Sequence, residues 1–451
     1  MQDIKKFSPP RVVCLMYPSM GILDNWLPVL SELKQRRPDL KITALLPRQR
    51  VVAEIDLAEV TMRLGEQVFD EVVYKSRAGF WARAESFAQT KALAERSRTV
   101  SSMIGTVRAV FWYMDAIHFL RPLIRPVALM ADKFLQRLGA LSTDETYADM
   151  ARIGRDTTAL CFDLFALTKV DGRDIIRYFQ KAACFSIQHG LNIVESVGDG
   201  VRIRRAPARI VAYAYSKHET VAYKHNYGLG EGEIKVIGVP RHESRWIEKI
   251  LRESKRDMPE SWGRYIFLIS RPANSEFLTK EKKRQALEDL RRLAFDDLGC
   301  KIVVKLHPTE LVPKNNDALL YEQTFDNSMY GKRWRYSSTH PFVLGERSMF
   351  AVAFYSGVPV DMLALGVPTI ELRNIGGAGE EGAGAAYRSR GLVLPADNYE
   401  ELKRHADAII HDRAAVIQQL LPQYEAFFGG AHKQPICVIA DDICRALDAS
   451  A

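Results

Sequence analysis

The chain has 451 residues, 47% hydrophobic and 26% charged, with a formal net charge of +8. That balance excludes an acidic solvating tail and a disordered charged polymer, and the length suffices for two or three domains of about 150 residues each. The six cysteines, Cys14, Cys161, Cys184, Cys300, Cys437 and Cys444, are scattered through apolar segments with no CxxC pair or repeated Cys/His spacing. They read as thiols of a reducing compartment, not as a disulfide frame or zinc site.

Residues 1–11 carry Lys5 and Lys6, but no apolar stretch with a small-residue cleavage site follows, so no secretion signal is expected. No run reaches the roughly 18 uncharged apolar residues of a spanning helix. Residues 109–120 come nearest, and Asp115, Arg121 and Arg125 interrupt or bound them. The expected location is cytoplasmic, either free or peripheral at an inner-membrane surface.

Residues 11–17 form a short apolar run that ends in Pro18-Ser-Met-Gly21, and residues 23–34 then show the apolar spacing of a helix. A second strand is predicted at 41–46, a helix over 51–64 and a strand at 71–74. This alternation predicts parallel α/β architecture, with ligands beyond the carboxyl ends of the strands. From 81 to about 141 the pattern is helical, and basic residues alternate with Phe111, Trp112, Tyr113, Phe119 and Phe134. Two readings stand for it: an inserted helical hairpin with its aromatics packed inward, or a basic amphipathic surface for anionic lipid.

Strands resume at 159–167, 182–188, 209–214 and 235–238, and the polar stretch 248–263 reads as a linker. A second α/β series opens at 265–270, with a charged helix at 280–293 and a strand at 301–306. Further strands are predicted at 349–354, 369–372 and 391–394, then helices over 399–428 and 435–447. The predicted organisation is an N-terminal Rossmann-like domain over 1–250 with a helical insertion at about 80–155, a C-terminal Rossmann-like domain over 251–430, and a terminal helix over 431–451. A central cleft lies between the two domains.

Several strand ends carry residues suited to phosphate or proton chemistry. Lys305-Leu-His-Pro-Thr-Glu310 follows an apolar strand; Lys305 and His307 can donate to phosphate oxygens, with Pro308 fixing the turn, or His307 is satisfied by local backbone. Ser356-Gly357 stands where a strand gives way to a short helix, with Pro359 in its first turn, an arrangement that offers N–H groups to an anion or is an ordinary connection. His189, in Ser186-Ile-Gln-His-Gly190, is a candidate base or a structural histidine. Asp24 and Asp199 are loop carboxylates that serve as base or nucleophile, or cap local turns. Arg241 reaches a phosphate across the cleft or pairs with Glu243, Arg271 carries the same ambiguity, and Glu371 is placed to accept from ribose hydroxyls. The glycine-rich stretch 376–386 lacks both the P-loop ending and the GxGxxG-helix context, and reads as a lid. No Asp-x-Asp, HExxH or Gly-x-Ser-x-Gly is present.

The order Gln188-His-Gly190, Ile237-Gly-Val-Pro-Arg241, Lys305-Leu-His-Pro308, Tyr355-Ser-Gly, Asp361 and Leu365-Gly-Val-Pro368 resembles the GT-B glycosyltransferase superfamily. Within it, the set is similar to the CDP-glycerol glycerophosphotransferase and capsule polysaccharide (Kdo- or sialyl-type) transferase group. The resemblance implies that His307 and Ser356 hold the donor phosphates, that Glu371 and the nearby loop hold the nucleoside, and that His189 faces the acceptor or the transferred group. Phe354 before Tyr355, and Gly357 where a second Ser or Thr is usual, depart from the glycerophosphate pattern and favour a sugar donor. The expectation is a metal-independent glycosyltransferase that uses a cytidine or, next, a uridine nucleotide-sugar as substrate, with no further cofactor. Its acceptor would be a surface polysaccharide or lipid-linked glycan. The alternatives are a polyol-phosphate transferase, a nucleotide-sugar 2-epimerase-like enzyme, or a non-catalytic glycan- or nucleotide-binding scaffold. The dispersed positive charge does not match a nucleic-acid module.

Overall fold

The computed structural model describes residues 10–16, 21–46, 59–74, 152–168, 175–188, 190, 209–254, 262–273, 278–307, 310, 317–372, 385–428 and 434–449. A first sheet is built from β1 (Arg11–Leu15), β2 (Lys41–Leu46), β3 (Glu71–Tyr74), β4 (Thr157–Phe162), β5 (Ala183–Ile187), β6 (Ile210–Ala214) and β7 (Ile234–Val236). A second contains β8 (Tyr265–Ile269), β9 (Lys301–Lys305), β10 (Trp334–Tyr336), β11 (Ala351–Ala353), β12 (Thr369–Leu372) and β13 (Leu394–Ala396). Every residue of β1 and of β8 is buried, as a central parallel strand covered on both faces requires.

The strand orders are β3-β2-β1-β4-β5-β6-β7 and β10-β9-β8-β11-β12-β13, and all neighbours are parallel. Each sheet therefore starts at its middle, winds outward to one side and then reverses. The reversal falls between β1 and β4 in the first sheet and between β8 and β11 in the second, and such a switch point is where a doubly wound sheet opens a crevice.

The helices are α1 (Ile22–Arg36), α2 (Glu59–Val68), α3 (Lys217–Tyr227), α4 (Ser244–Glu253), α5 (Lys280–Arg291), α6 (Ala318–Phe325), α7 (Pro341–Glu346), α8 (Val358–Ala364), α9 (Ala385–Arg388), α10 (Tyr399–His411), α11 (Arg413–Phe427) and α12 (Pro435–Asp448). In α1, Ile22, Leu23, Trp26, Leu27, Leu30 and Leu33 are buried, the 3–4 spacing that lays one face on a sheet. The last helix crosses back to the first sheet. Asp442 accepts from the Tyr213 hydroxyl at 2.9 Å and from Lys235 Nζ at 2.7 Å.

Several expectations shift. Part of the predicted linker is helix: α4 runs to Glu253 with Trp246, Ile247 and Ile250 buried, its charged residues having masked a three-residue inner face. The helix expected over 399–428 divides at Asp412, whose carboxylate accepts from Ala415 N–H at 2.9 Å and caps α11. The strand expected at 391–394 begins at Leu394, because Gly391 turns through φ +67°. Strand β10 and helices α6 and α7 were unpredicted; they are 3, 8 and 6 residues long, too short for periodicity to register. Most of the predicted helical insertion and of the predicted lid lies outside the described residues. Among those residues, no helix is long and apolar enough to cross a membrane.

Candidate functional site

Three strand ends converge at the switch point of the second sheet. Beyond β8 come Ser270 and Arg271, beyond β9 comes His307, and beyond β11 come Phe354, Tyr355 and Ser356. The Arg271 guanidinium carbon lies 4.8 Å from the centre of the Tyr355 ring, and Arg271 Nη1 is 3.4 Å from His307 Nε2. A guanidinium only donates, so His307 Nε2 is the accepting atom of this contact. The His307 backbone N–H donates to Glu310 Oε2 at 2.8 Å. Ser356 Oγ accepts from Val358 N–H at 3.3 Å, and Gly357 precedes the first residue of α8. Pro308 lies outside the described residues.

Lys305 is anchored by backbone carbonyls. Its Nζ donates to the carbonyls of Ser338 at 3.2 Å and Thr339 at 3.1 Å, tying the end of β9 to the chain that leaves β10. Glu371 is likewise turned inward: the residue is fully buried, and its Oε2 lies 3.0 Å from Arg388 Nε. A buried carboxylate needs a cation close by, and Arg388 supplies it in place of the expected ribose hydroxyls.

Arg241 does not pair with Glu243. Its Nε donates to Asp361 Oδ1 at 2.9 Å and its Nη1 donates to Asn25 Oδ1, while Glu243 pairs with Arg245 at 2.7 Å. His242 Nε2 also meets Asp361 Oδ1, at 2.6 Å, and its Nδ1 meets the Tyr424 hydroxyl at 2.8 Å. Burial alone would raise the Asp361 carboxyl, but Arg241 and His242 hold it below the usual carboxylate range. Burial pushes the His242 ring below its ordinary value. The cluster ties the start of α1 and the chain after β7 to α8 and α11.

Asp24, in the first turn of α1, accepts from Thr61 Oγ1 at 3.3 Å, and His340 Nε2 stands 3.9 Å from its Oδ1. His340 Nδ1 accepts from Phe342 N–H at 3.2 Å, so the neutral ring carries its proton on Nε2, toward Asp24. Burial lowers the His340 pKa. His189 and Asp199 lie outside the described residues. The carbonyl of Gln188, just before His189, accepts from Asn25 Nδ2 at 2.8 Å and from the Tyr215 hydroxyl. His340 and His242 were missed from sequence. The first stands in a second His-Pro pair, His340-Pro341, whose match to His307-Pro308 was the available signal. Among the described residues no group of three His, Cys, Asp or Glu is placed to hold a metal ion.

No protein-family model and no curated protein matches the chain. Solved structures do. A crystal structure of UDP-N-acetylglucosamine 2-epimerase superposes with a TM-score of 0.54 at 10% identity, over 98% of this chain and 97% of that one. A variant of the wall teichoic acid polymerase TagF soaked with CDPG gives 0.55 at 10% identity, over 98% and 90%. The UDP-bound MnaA of S. aureus gives 0.52 at 11% identity, over 97% of each chain. The fold is of the GT-B type. In this GT-B fold, the switch point of the second sheet carries Arg271, His307 and Ser356, and α1 of the first half meets α7 through the Asp24–His340 pair and α8 through Asn25, Arg241 and Asp361.

Proposed function

We propose that the protein is a glycosyltransferase that moves a sugar from a nucleotide-activated donor, cytidine favoured and uridine next, to a hydroxyl of a surface polysaccharide or lipid-linked glycan. The observation that carries this reading is the convergence of Arg271, His307 and Ser356 at the switch point of the second sheet. In the proposed step the acceptor oxygen attacks the anomeric carbon as the bond from that carbon to the donor phosphate oxygen breaks. The electron pair leaves on the phosphate, and the acceptor proton passes to a base. Arg271 supplies a fixed positive charge and forked donors to the leaving phosphate, His307 adds its imidazole, and Ser356 adds its hydroxyl. Asp24 is the base favoured among the described residues, with His189 and Asp199 as the other candidates. The soak of TagF with CDPG and the UDP complex of MnaA support a nucleotide in this fold. The absence of an Asp-x-Asp pair from the sequence supports neutralisation of the phosphates by protein cations, without a divalent metal.

The fold likeness to UDP-N-acetylglucosamine 2-epimerase favours a second reading, rearrangement of a nucleotide-sugar with no acceptor. Thermal shift of the purified protein against CMP, CDP, UDP, GDP and TDP, repeated with His307→Ala, tests the shared donor site. The expected result is a rise with a cytidine or uridine nucleotide that disappears in the variant. Absence of any shift in folded protein would remove the donor site. Incubation of the matching nucleotide-sugar with and without a glycan acceptor then separates transfer from epimerisation.

A further inference from the structure

The ends of β8 and β9 are joined from behind by charges that water does not reach. Lys283, on α5, is fully buried, and Glu310 and Asp317 are nearly so. Lys283 Nζ donates to Glu310 Oε1 at 2.7 Å, to Asp317 Oδ2 at 2.8 Å and to the Arg271 carbonyl at 2.7 Å. It also lies 4.7 Å from the centre of the Tyr321 ring. Glu310 divides its carboxylate: Oε1 accepts from Lys283, from Ser270 Oγ at 2.8 Å and from the Tyr321 hydroxyl at 3.2 Å, whereas Oε2 accepts from the His307 backbone N–H at 2.8 Å. Glu310 N–H returns to the His307 carbonyl at 2.8 Å. Asp317 Oδ2 also accepts from Ala273 N–H at 2.8 Å. One ammonium group therefore fixes the chain after β8 through the Arg271 carbonyl and, by way of Asp317, through Ala273. Through Glu310 it fixes the chain after β9 at His307.

A buried cluster of this kind adds little stability over well-packed apolar side chains, because removing the charges from water offsets most of their attraction. What it provides is backbone geometry, of the sort that a site requiring atoms placed to within about 0.5 Å draws on. We propose that Lys283 and Glu310 are positioning residues that hold Arg271 and His307 at the spacing at which both reach one phosphate group. The inference rests on the donor-phosphate reading of those two residues.

The test compares the wild type with Lys283→Met and with the triple variant Lys283→Met/Glu310→Met/Asp317→Asn, in which the buried charges are gone and the volume is nearly kept. The readouts are the urea midpoint, amide hydrogen exchange in peptides covering 265–273 and 301–307, and the dissociation constants for CDP and UDP. Lys283→Met is expected to lower the midpoint and the triple variant to restore it. In both, exchange at the two strand ends rises at least tenfold and nucleotide affinity falls at least tenfold. Recovery of slow exchange and of affinity together with stability in the triple variant would overturn the proposal and leave the cluster a packing device. If the wild type itself binds neither nucleotide, the donor reading fails separately and exchange alone decides. Faster exchange confined to the two strand ends then sustains the positioning role, and unchanged exchange overturns it.

Discussion

The guanidinium of Arg271 lies over the ring of Tyr355, 4.8 Å from its centre, across the reversal point of the second sheet. The two residues are 84 positions apart in number and meet because β8 and β11 pair directly, Ile269 opposite Ala353. The aromatic face fixes the plane of the guanidinium, and a fixed plane decides where its forked donors point.

From this relationship, Arg271→Ala should weaken nucleotide binding about 10- to 100-fold, the loss of about 1.5–3 kcal/mol that accompanies a hydrogen bond to a charged group. Arg271→Lys should recover little, since an ammonium neither stacks on Tyr355 nor donates in a plane. Calorimetric titration with CDP and UDP measures both. Full recovery in the lysine variant would show that the charge matters and the stacked geometry does not.

Asp24→Asn should lower kcat by about 10²- to 10⁴-fold, the range of a general base, with little change in KM for the donor. Its side chain is 32% exposed, so thermal stability should be nearly unchanged. Steady-state kinetics at saturating acceptor provide the check. An unaltered kcat would move the base to His189 or Asp199.

The Arg241–Asp361 pair is buried on both sides. Asp361→Leu, which strands a buried guanidinium, should cost about 3–5 kcal/mol, whereas Arg241→Met/Asp361→Leu should cost much less because neither charge is left alone. Urea unfolding of the two variants and of Arg241→Met completes a double-mutant cycle. Additive effects would mean that the two residues do not act as a pair.

Acid should destabilise the protein before ordinary carboxylates protonate. Burial lowers the pKa of both His242 and His340 in the fold, while an unfolded histidine titrates near 6.5. The unfolded chain therefore binds more protons as pH drops below about 6.5, and stability that is full above that value declines as pH falls through the depressed folded values. Asp361, also held low, acts in the same direction further down. His340→Asn, which keeps an acceptor for the Phe342 N–H, should flatten the change in urea midpoint between pH 7.5 and 5.5. An unchanged slope would exclude His340 from the effect.

Much of this molecule was legible along the chain, because the signals were local. Fully buried parallel strands such as 265–269 are continuous apolar runs, and the predicted strands at 41–46, 71–74 and 369–372 match β2, β3 and β12. The motifs at 305–308 and 355–357 were visible because strand ends carry their chemistry in a few adjacent residues, and their order carried the resemblance to the GT-B superfamily. Partnership was not legible. Arg241 and Glu371 were plausible ligand contacts by position, yet tertiary structure gives the first to Asp361 and Asn25 and places the second beside Arg388. Lys283 read as one more charge on a polar helix, and it is the ammonium that joins two loops. Composition and periodicity determine which residues are apolar enough to form a sheet core. Which charge is buried, and against what, depends on contacts between residues tens to hundreds of positions apart, and only the packed chain decides it.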